Sequence, residues 1–126
     1  MRAVDTNVLV RLITRDDVRQ TSAANLFVQK GVWASHLALA EAIWVLAKSY
    51  RHSAADQATV VEMLLNQEYL TLQDSDAVAL ALELFRSQPA LGFSDCLMLQ
   101  LARKAGHLPL GTFDRRLGRV EGTQKL

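Results

Sequence analysis

Short apolar stretches alternate with longer helical ones along this chain, and that alternation limits the fold more than any other feature. Ala3-Val4 reads as a short strand that ends at Asp5. Asn7 to Thr14 reads as a helix, and Asp16-Asp17 marks a break and a new start. Val18 to Lys30 is a second helix closed by Gly31. Val32 to Ala34 is the next strand, after which Ser35 caps a long helix running to about Tyr50. Ser53 with Asp56 has the pattern of a capping box for a helix ending at Leu65. Tyr69 to Leu72 is strand-like, and Asp74 or Ser75 caps a helix that stops before Pro89. Ser94 to Ala105 is helical, with Gly106 beyond its end; Leu108 to Gly111 is a strand followed by a turn at Thr112-Phe113-Asp114. A short edge strand is expected near Thr123 to Leu126. Strands separated by one or two helices pair in parallel through crossovers. The expected fold is therefore α/β: a three-layer α/β/α sandwich around a parallel sheet of four to five strands. Such folds bind ligands beyond the carboxyl ends of their strands, near the point where strand order reverses.

The 126 residues suit one domain spanning 1–126. Half are hydrophobic and 21% are charged, which excludes disorder as a description of the chain. The longest apolar run, Leu37 to Ala47, is broken by Glu41 and falls short of the ~20 residues of a membrane span. The opening MRAVDTNVLV carries an acid inside its short apolar stretch, so it is not expected to be a signal peptide. Cys96 stands alone and can form neither an internal disulfide nor a zinc cluster, which fits a reducing cytoplasmic compartment. Net charge is +1, unevenly spread. Residues 1–100 hold 8 basic and 11 acidic side chains, whereas residues 101–126 hold six basic and two acidic. A basic end permits contact with nucleic acid or an acidic partner.

Four acids fall where such a fold presents its ligand site. Asp5 and Asp114 each follow a strand, and each also suits a cap or turn. Asp95 opens a helix, where the helix dipole favours an acid. Glu41 sits in LALAEAIWVLA among apolar neighbours, where a charge calls for a partner, a metal or a cavity. No Lys or Arg lies three or four residues from it. Two of these acids end strands on one side of a parallel sheet, and two lie near the starts of helices leaving that side. Grouped carboxylates repel one another, and a hard divalent cation relieves the repulsion. Oxygen donors without a His or Cys cluster suit Mg²⁺ or Mn²⁺. Such metals serve phosphoryl chemistry, in which they neutralise phosphate charge and activate water.

The strings VDTNVLVRLI, LALAEAIWVL, FSDCLMLQLARKAG and LGTFDRRL together resemble a PIN domain, and more specifically the VapC-type ribonuclease toxins of bacterial toxin–antitoxin pairs. The resemblance covers essentially the whole chain, and the opening DTN and late TFD are its most specific pieces. It implies an Mg²⁺-dependent endoribonuclease, with Mn²⁺ as a substitute, that cuts RNA in a transfer- or ribosomal-RNA loop. It implies a homodimer and a small cognate antitoxin protein, with operator DNA reached only through the antitoxin and no membrane partner. By position, Asp5, Glu41, Asp95 and Asp114 match the family's acidic, metal-holding quartet. Asn7 and Thr112 match the polar positions that hold the first and last carboxylates, and Ser94 is a variable position beside an acid. Some members carry another acid one turn after the third carboxylate; Met98, Leu99 and Gln100 occupy that stretch here, so one ion or two stays open.

Other side chains read as structure or as site rim. His36, His52 and His107 are scattered, which speaks against histidine acid–base chemistry. Cys96 reads as a core thiol, and Trp33 and Trp44 as core or dimer contacts. Arg11 and Arg15, four apart on the first helix, read as solvent-facing charge or as contacts for RNA phosphates or the antitoxin, with one of Arg115 and Arg116 at the site rim. Two alternatives stand beside the nuclease. A haloacid-dehalogenase-like phosphatase needs a second Asp where Asn7 stands, and a receiver domain needs an acidic pair and a late Lys that are not found. The non-enzyme alternative is a catalytically silent PIN scaffold within a toxin–antitoxin repressor complex.

Overall fold

The computed structural model describes residues 1–126, which pack into two compact units, Met1–Ser75 and Asp76–Leu126. The first unit holds β1 (Arg2–Ala3), α1 (Thr6–Thr14), α2 (Val18–Val28), β2 (Val32–Ala34), α3 (His36–Ser49), α4 (Ala54–Leu65) and β3 (Leu70–Leu72). The second holds α5 (Ser75–Ser87), α6 (Phe93–Ala105), β4 (Leu110–Thr112) and β5 (Thr123–Lys125), with 3₁₀ turns at Pro89–Leu91 and Leu117–Arg119.

Short polar side chains set the helix starts of the first unit. The backbone N–H of Val8 donates to Asp5 Oδ1 (3.1 Å), that of Gln20 to Asp17 Oδ1 (3.0 Å) and that of Ala38 to Ser35 Oγ (3.0 Å). Each satisfies one of the donors a helix leaves open at its first turn. At α4, Ser53 and Asp56 cap each other's backbone reciprocally. In the second unit α6 closes on Gly106 at φ +82°, a conformation that costs glycine nothing.

The first-unit sheet runs β1-β2-β3, all parallel, with Ala3 opposite Trp33 and Val32 opposite Leu70. The central strand β2 buries Val32 and Ala34 completely, and Leu70 and Leu72 of β3 continue that face. The α1 helix packs against α2 and α3, burying Leu9, Val10 and Leu12, while α3 contributes Leu39, Ile43 and Leu46. In the second unit the core gathers Val78, Leu82, Phe85, Phe93, Leu97 and Leu99.

The α/β class with purely parallel pairing holds. The expected single sheet of four to five strands is corrected: the five strands divide into a three-stranded sheet and a separate pair, β4-β5. Local hydrogen bonding accounts for the division. Leu110 N–H donates to Gly122 O (2.9 Å) and Leu126 N–H to Thr112 O (2.8 Å), so the late strands satisfy each other. Gly118 permits this pairing, since a side chain there would bring a Cβ within 2.7 Å of Lys125 Cβ. The strand expected from Leu108 begins instead at Leu110, because Pro109 has no N–H to give a ladder. No helix is long and apolar enough to cross a membrane.

Candidate metal centre

The four acids fall two to a unit. In the first unit, Asp5 lies just past β1 and caps α1 through Oδ1. The cap and the functional reading are compatible, because Val8 takes only Oδ1 and a carboxylate has a second acceptor oxygen. Glu41, on α3, corrects the expectation of an acid enclosed by apolar neighbours, for it is exposed. The buried face of α3 is Ala38, Leu39, Ala42, Ile43 and Leu46, and Leu37, Glu41 and Trp44 lie outside it in the solvent. Glu41 has one partner: the Thr6 hydroxyl donates to its Oε2 at 2.6 Å. Thr6, the residue next to Asp5, thus ties the start of α1 to the second acid, a role the sequence reading missed. The available signal was its place in the first turn of α1, the helix that packs on α3.

Asn7, expected to hold the first carboxylate, lines an open cleft of about 480 Å³ along α1 and α2. Asp5, Val8, Arg11, Gln20 and Phe27 also line it. The Arg2 guanidinium stacks over the Phe27 ring (3.9 Å to the centroid) and donates to the Phe27 carbonyl (3.1 Å), fixing one wall. Arg11 donates to Gln20 Oε1 (2.5 Å), Asp16 Oδ1 (3.0 Å) and the Tyr50 hydroxyl (3.1 Å). Its guanidinium is therefore occupied within the unit rather than simply facing solvent. Hydrogen bonds from Thr14 and Tyr50 hold the Asp16 carboxyl below the usual range, which keeps this anchor ionised.

In the second unit Asp95 occupies the first turn of α6 and is half-buried. Asp114 follows β4 and accepts the Leu117 N–H on Oδ1 at 2.7 Å, which fixes its turn. Thr112 is pinned beside it, though not as expected: its Oγ1 accepts the Asp114 backbone N–H (3.0 Å) and does not meet the carboxylate. Burial first, and then the negative charge of Asp114, raise the Asp95 pKa above the ordinary carboxylate value. Cys96 is buried, and desolvation, helped by the Asp95 charge, pushes its thiol up to about 11, so it is a core thiol without nucleophilic character at neutral pH. Trp44 corrects the core assignment: it is 57% exposed, with the Lys48 ammonium 4.7 Å from its ring centre.

The donors fit a hard divalent cation in kind. They are carboxylate oxygens, and one of each capped pair of oxygens remains for a ligand. Asp95 and Asp114 also oppose each other's charge, which a cation relieves. The expected gathering of four carboxylates is not seen: nowhere in the structure do three or more His, Cys, Asp or Glu side chains group so as to hold a metal ion. Each unit offers two carboxylates.

The raised pKa of Asp95 has a measurable consequence. A carboxyl that is harder to ionise in the fold than in the unfolded chain destabilises the protein at pH values above its folded pKa, and the cost disappears as pH falls through that pKa. Asp95→Asn, in chelator, should therefore match or exceed the wild-type melting temperature at neutral pH. The difference should close on acidification towards about pH 4, the ordinary Asp range. Thermal melts across that range provide the check, and a variant that melts well below wild type at neutral pH would make Asp95 a structural anchor instead.

No curated protein matches the chain significantly. The PIN domain matches residues 2–122, which include both pairs of acids and nearly the whole sequence. The family is made up mostly of nucleases that depend on divalent metals. With its parallel α/β architecture and acids beyond β1 and β4, this chain belongs to the PIN-domain family.

Proposed function

We propose that the chain is an endoribonuclease that hydrolyses RNA phosphodiester bonds with Mg²⁺, or Mn²⁺ in its place, and that it acts as the VapC-type toxin of a toxin–antitoxin pair. The observation that carries the reading is that all four acids lie inside the PIN-domain match. In this reading Asp5, Asp95 and Asp114 would hold the cation directly or through water, and Glu41 would hold it or orient the attacking water. When bound, the ion neutralises phosphate charge, activates water and stabilises the leaving oxygen. Thr6 donates to Glu41 Oε2, so Oε1 stays open to a ligand or a water. Asp5 and Asp114 are pinned through Oδ1 by backbone N–H groups, which fixes their carboxylate planes before substrate arrives. Water attacks phosphorus in line and the 3′-oxygen leaves, so the products carry 5′-phosphate and 3′-hydroxyl ends.

The toxin role, a homodimer and a small antitoxin rest on the resemblance of the DTN and TFD segments. Expression of the chain in a bacterial host should arrest growth, and co-expression of a short neighbouring reading frame should relieve the arrest. Titration with Mn²⁺ tests the metal reading without any RNA. Wild type should bind the ion, and Asp95→Asn and Asp114→Asn should each weaken binding by more than the roughly 10–100-fold seen for groups that only orient a ligand. Unchanged affinity in both variants would favour the silent scaffold.

A further inference from the structure

The second unit buries two phenylalanines and leaves the third on its surface. Phe85 and Phe93 are each 2% exposed, whereas Phe113 is 81% exposed. It is also one of the most exposed large apolar side chains of the molecule, and it immediately precedes Asp114. Its placement is not loose. The residue before it is tied by Leu126 N–H to Thr112 O (2.8 Å), and Thr112 Oγ1 accepts the Asp114 N–H (3.0 Å). The residue after it is tied twice, through Leu117 N–H to Asp114 Oδ1 (2.7 Å) and Gly118 N–H to Asp114 O (2.9 Å). An aromatic ring is thus held in water on a turn braced on both sides. Arg115 and Arg116 follow directly, both exposed, in the stretch where six basic residues face two acidic ones.

We infer that Phe113 is a stacking platform for one unpaired base of single-stranded RNA, with Arg115 and Arg116 meeting the flanking phosphates. The inference deepens the nuclease reading and rests on it. An exposed apolar ring followed in the same stretch by two exposed arginines suits a nucleotide, which presents a π-face and an anion. Stacking tolerates any base, so Phe113 favours unpaired strand over duplex without choosing a sequence.

The test measures binding of fluorescein-labelled single-stranded RNA of mixed sequence, by anisotropy in Mg²⁺, to the full chain carrying Asp5→Asn so that no strand is cut. Adding Phe113→Ala should weaken affinity by about 5- to 100-fold, the range for loss of one stacked base, and Phe113→Trp should retain it. The melting temperature should not move, since the ring is not in the core. Arg115→Gln and Arg116→Gln should each lower the slope of log affinity against log salt by about 0.7, the value for one phosphate on a single strand, while Phe113→Ala should leave the slope alone. Parent chain that binds RNA with Phe113→Ala unchanged would overturn the stacking role alone. Failure of both chains to bind RNA would also overturn the stacking role, whereas the nuclease reading is decided separately by cleavage with the wild-type chain.

Discussion

Asp5→Asn should abolish metal-dependent RNA cleavage and leave the fold intact. Asp5 does two things at once: it caps α1 through Oδ1, and in the proposed mechanism it holds the cation. Asparagine separates them. As a helix cap it is about as good as aspartate, since its side-chain oxygen accepts the same Val8 N–H. As a metal ligand it lacks the charge that makes a carboxylate bind Mg²⁺. Activity should fall by more than the roughly 10–100-fold attributed to groups that only orient a ligand, while the melting temperature stays close to wild type. Asp5→Ala is the contrasting variant: it also loses the cap, at about 1 kcal/mol, and should melt a few degrees lower. Retained cleavage in Asp5→Asn would remove this residue from the mechanism. A large loss of melting temperature in the same variant would give it a structural role.

Phe85→Ala has the largest expected effect on stability. Phe85 is 2% exposed on α5, and its ring meets Phe93 edge-on, with centroids 6.0 Å apart and planes at 74°. Truncation removes the buried ring, leaves a cavity and breaks the aromatic pair, which together cost about 3–5 kcal/mol. Against a typical total of about 5–15 kcal/mol that is a large fraction, and a fall in melting temperature on the order of 10–20 °C should follow. Urea denaturation read by circular dichroism measures it. A cost below about 1 kcal/mol would mean that the α5–α6 core is not the one described. Phe113→Ala is the internal control: the same chemical change, made at 81% exposure, should leave stability unmoved.

Much of the fold was legible from the chain, and the reasons are local. The capping box at Ser53 and Asp56, the Ser35 cap, the helix stop before Pro89 and the Gly106 terminus each rest on the chemistry of one or two residues. The strand Val32–Ala34 was legible because an apolar trio sits between Gly31 and a helix cap. The division of the strands into two sheets was not, since pairing is decided by which backbone lies nearest, and β4 finds β5 across the ten residues 113–122.

For the site, the positions of the four acids were readable and their surroundings were not. Glu41 looked enclosed because its sequence neighbours are apolar, but Ala38, Leu39, Ala42 and Ile43 turn to the core while Leu37 and Trp44 share its exposed side, and only packing reveals which face is outside. Thr6 was passed over because a hydroxyl at a helix start usually serves its own backbone, whereas here it crosses to α3. Phe113 entered the sequence reading only as the middle of the Thr112-Phe113-Asp114 turn; its exposure, and the bracing of its neighbours, are shown by the structure and by no spacing rule.

The most direct measurement is incubation of the purified, partner-free chain with a small-RNA pool in Mg²⁺, in Mn²⁺ and in chelator, followed by mapping of the fragment ends. The account predicts discrete fragments in either metal and none in chelator, with 5′-phosphate and 3′-hydroxyl ends. Cleavage that persists in chelator, or fragments ending in 2′,3′-cyclic phosphate, would contradict it, because the 2′-hydroxyl rather than water would then be the nucleophile.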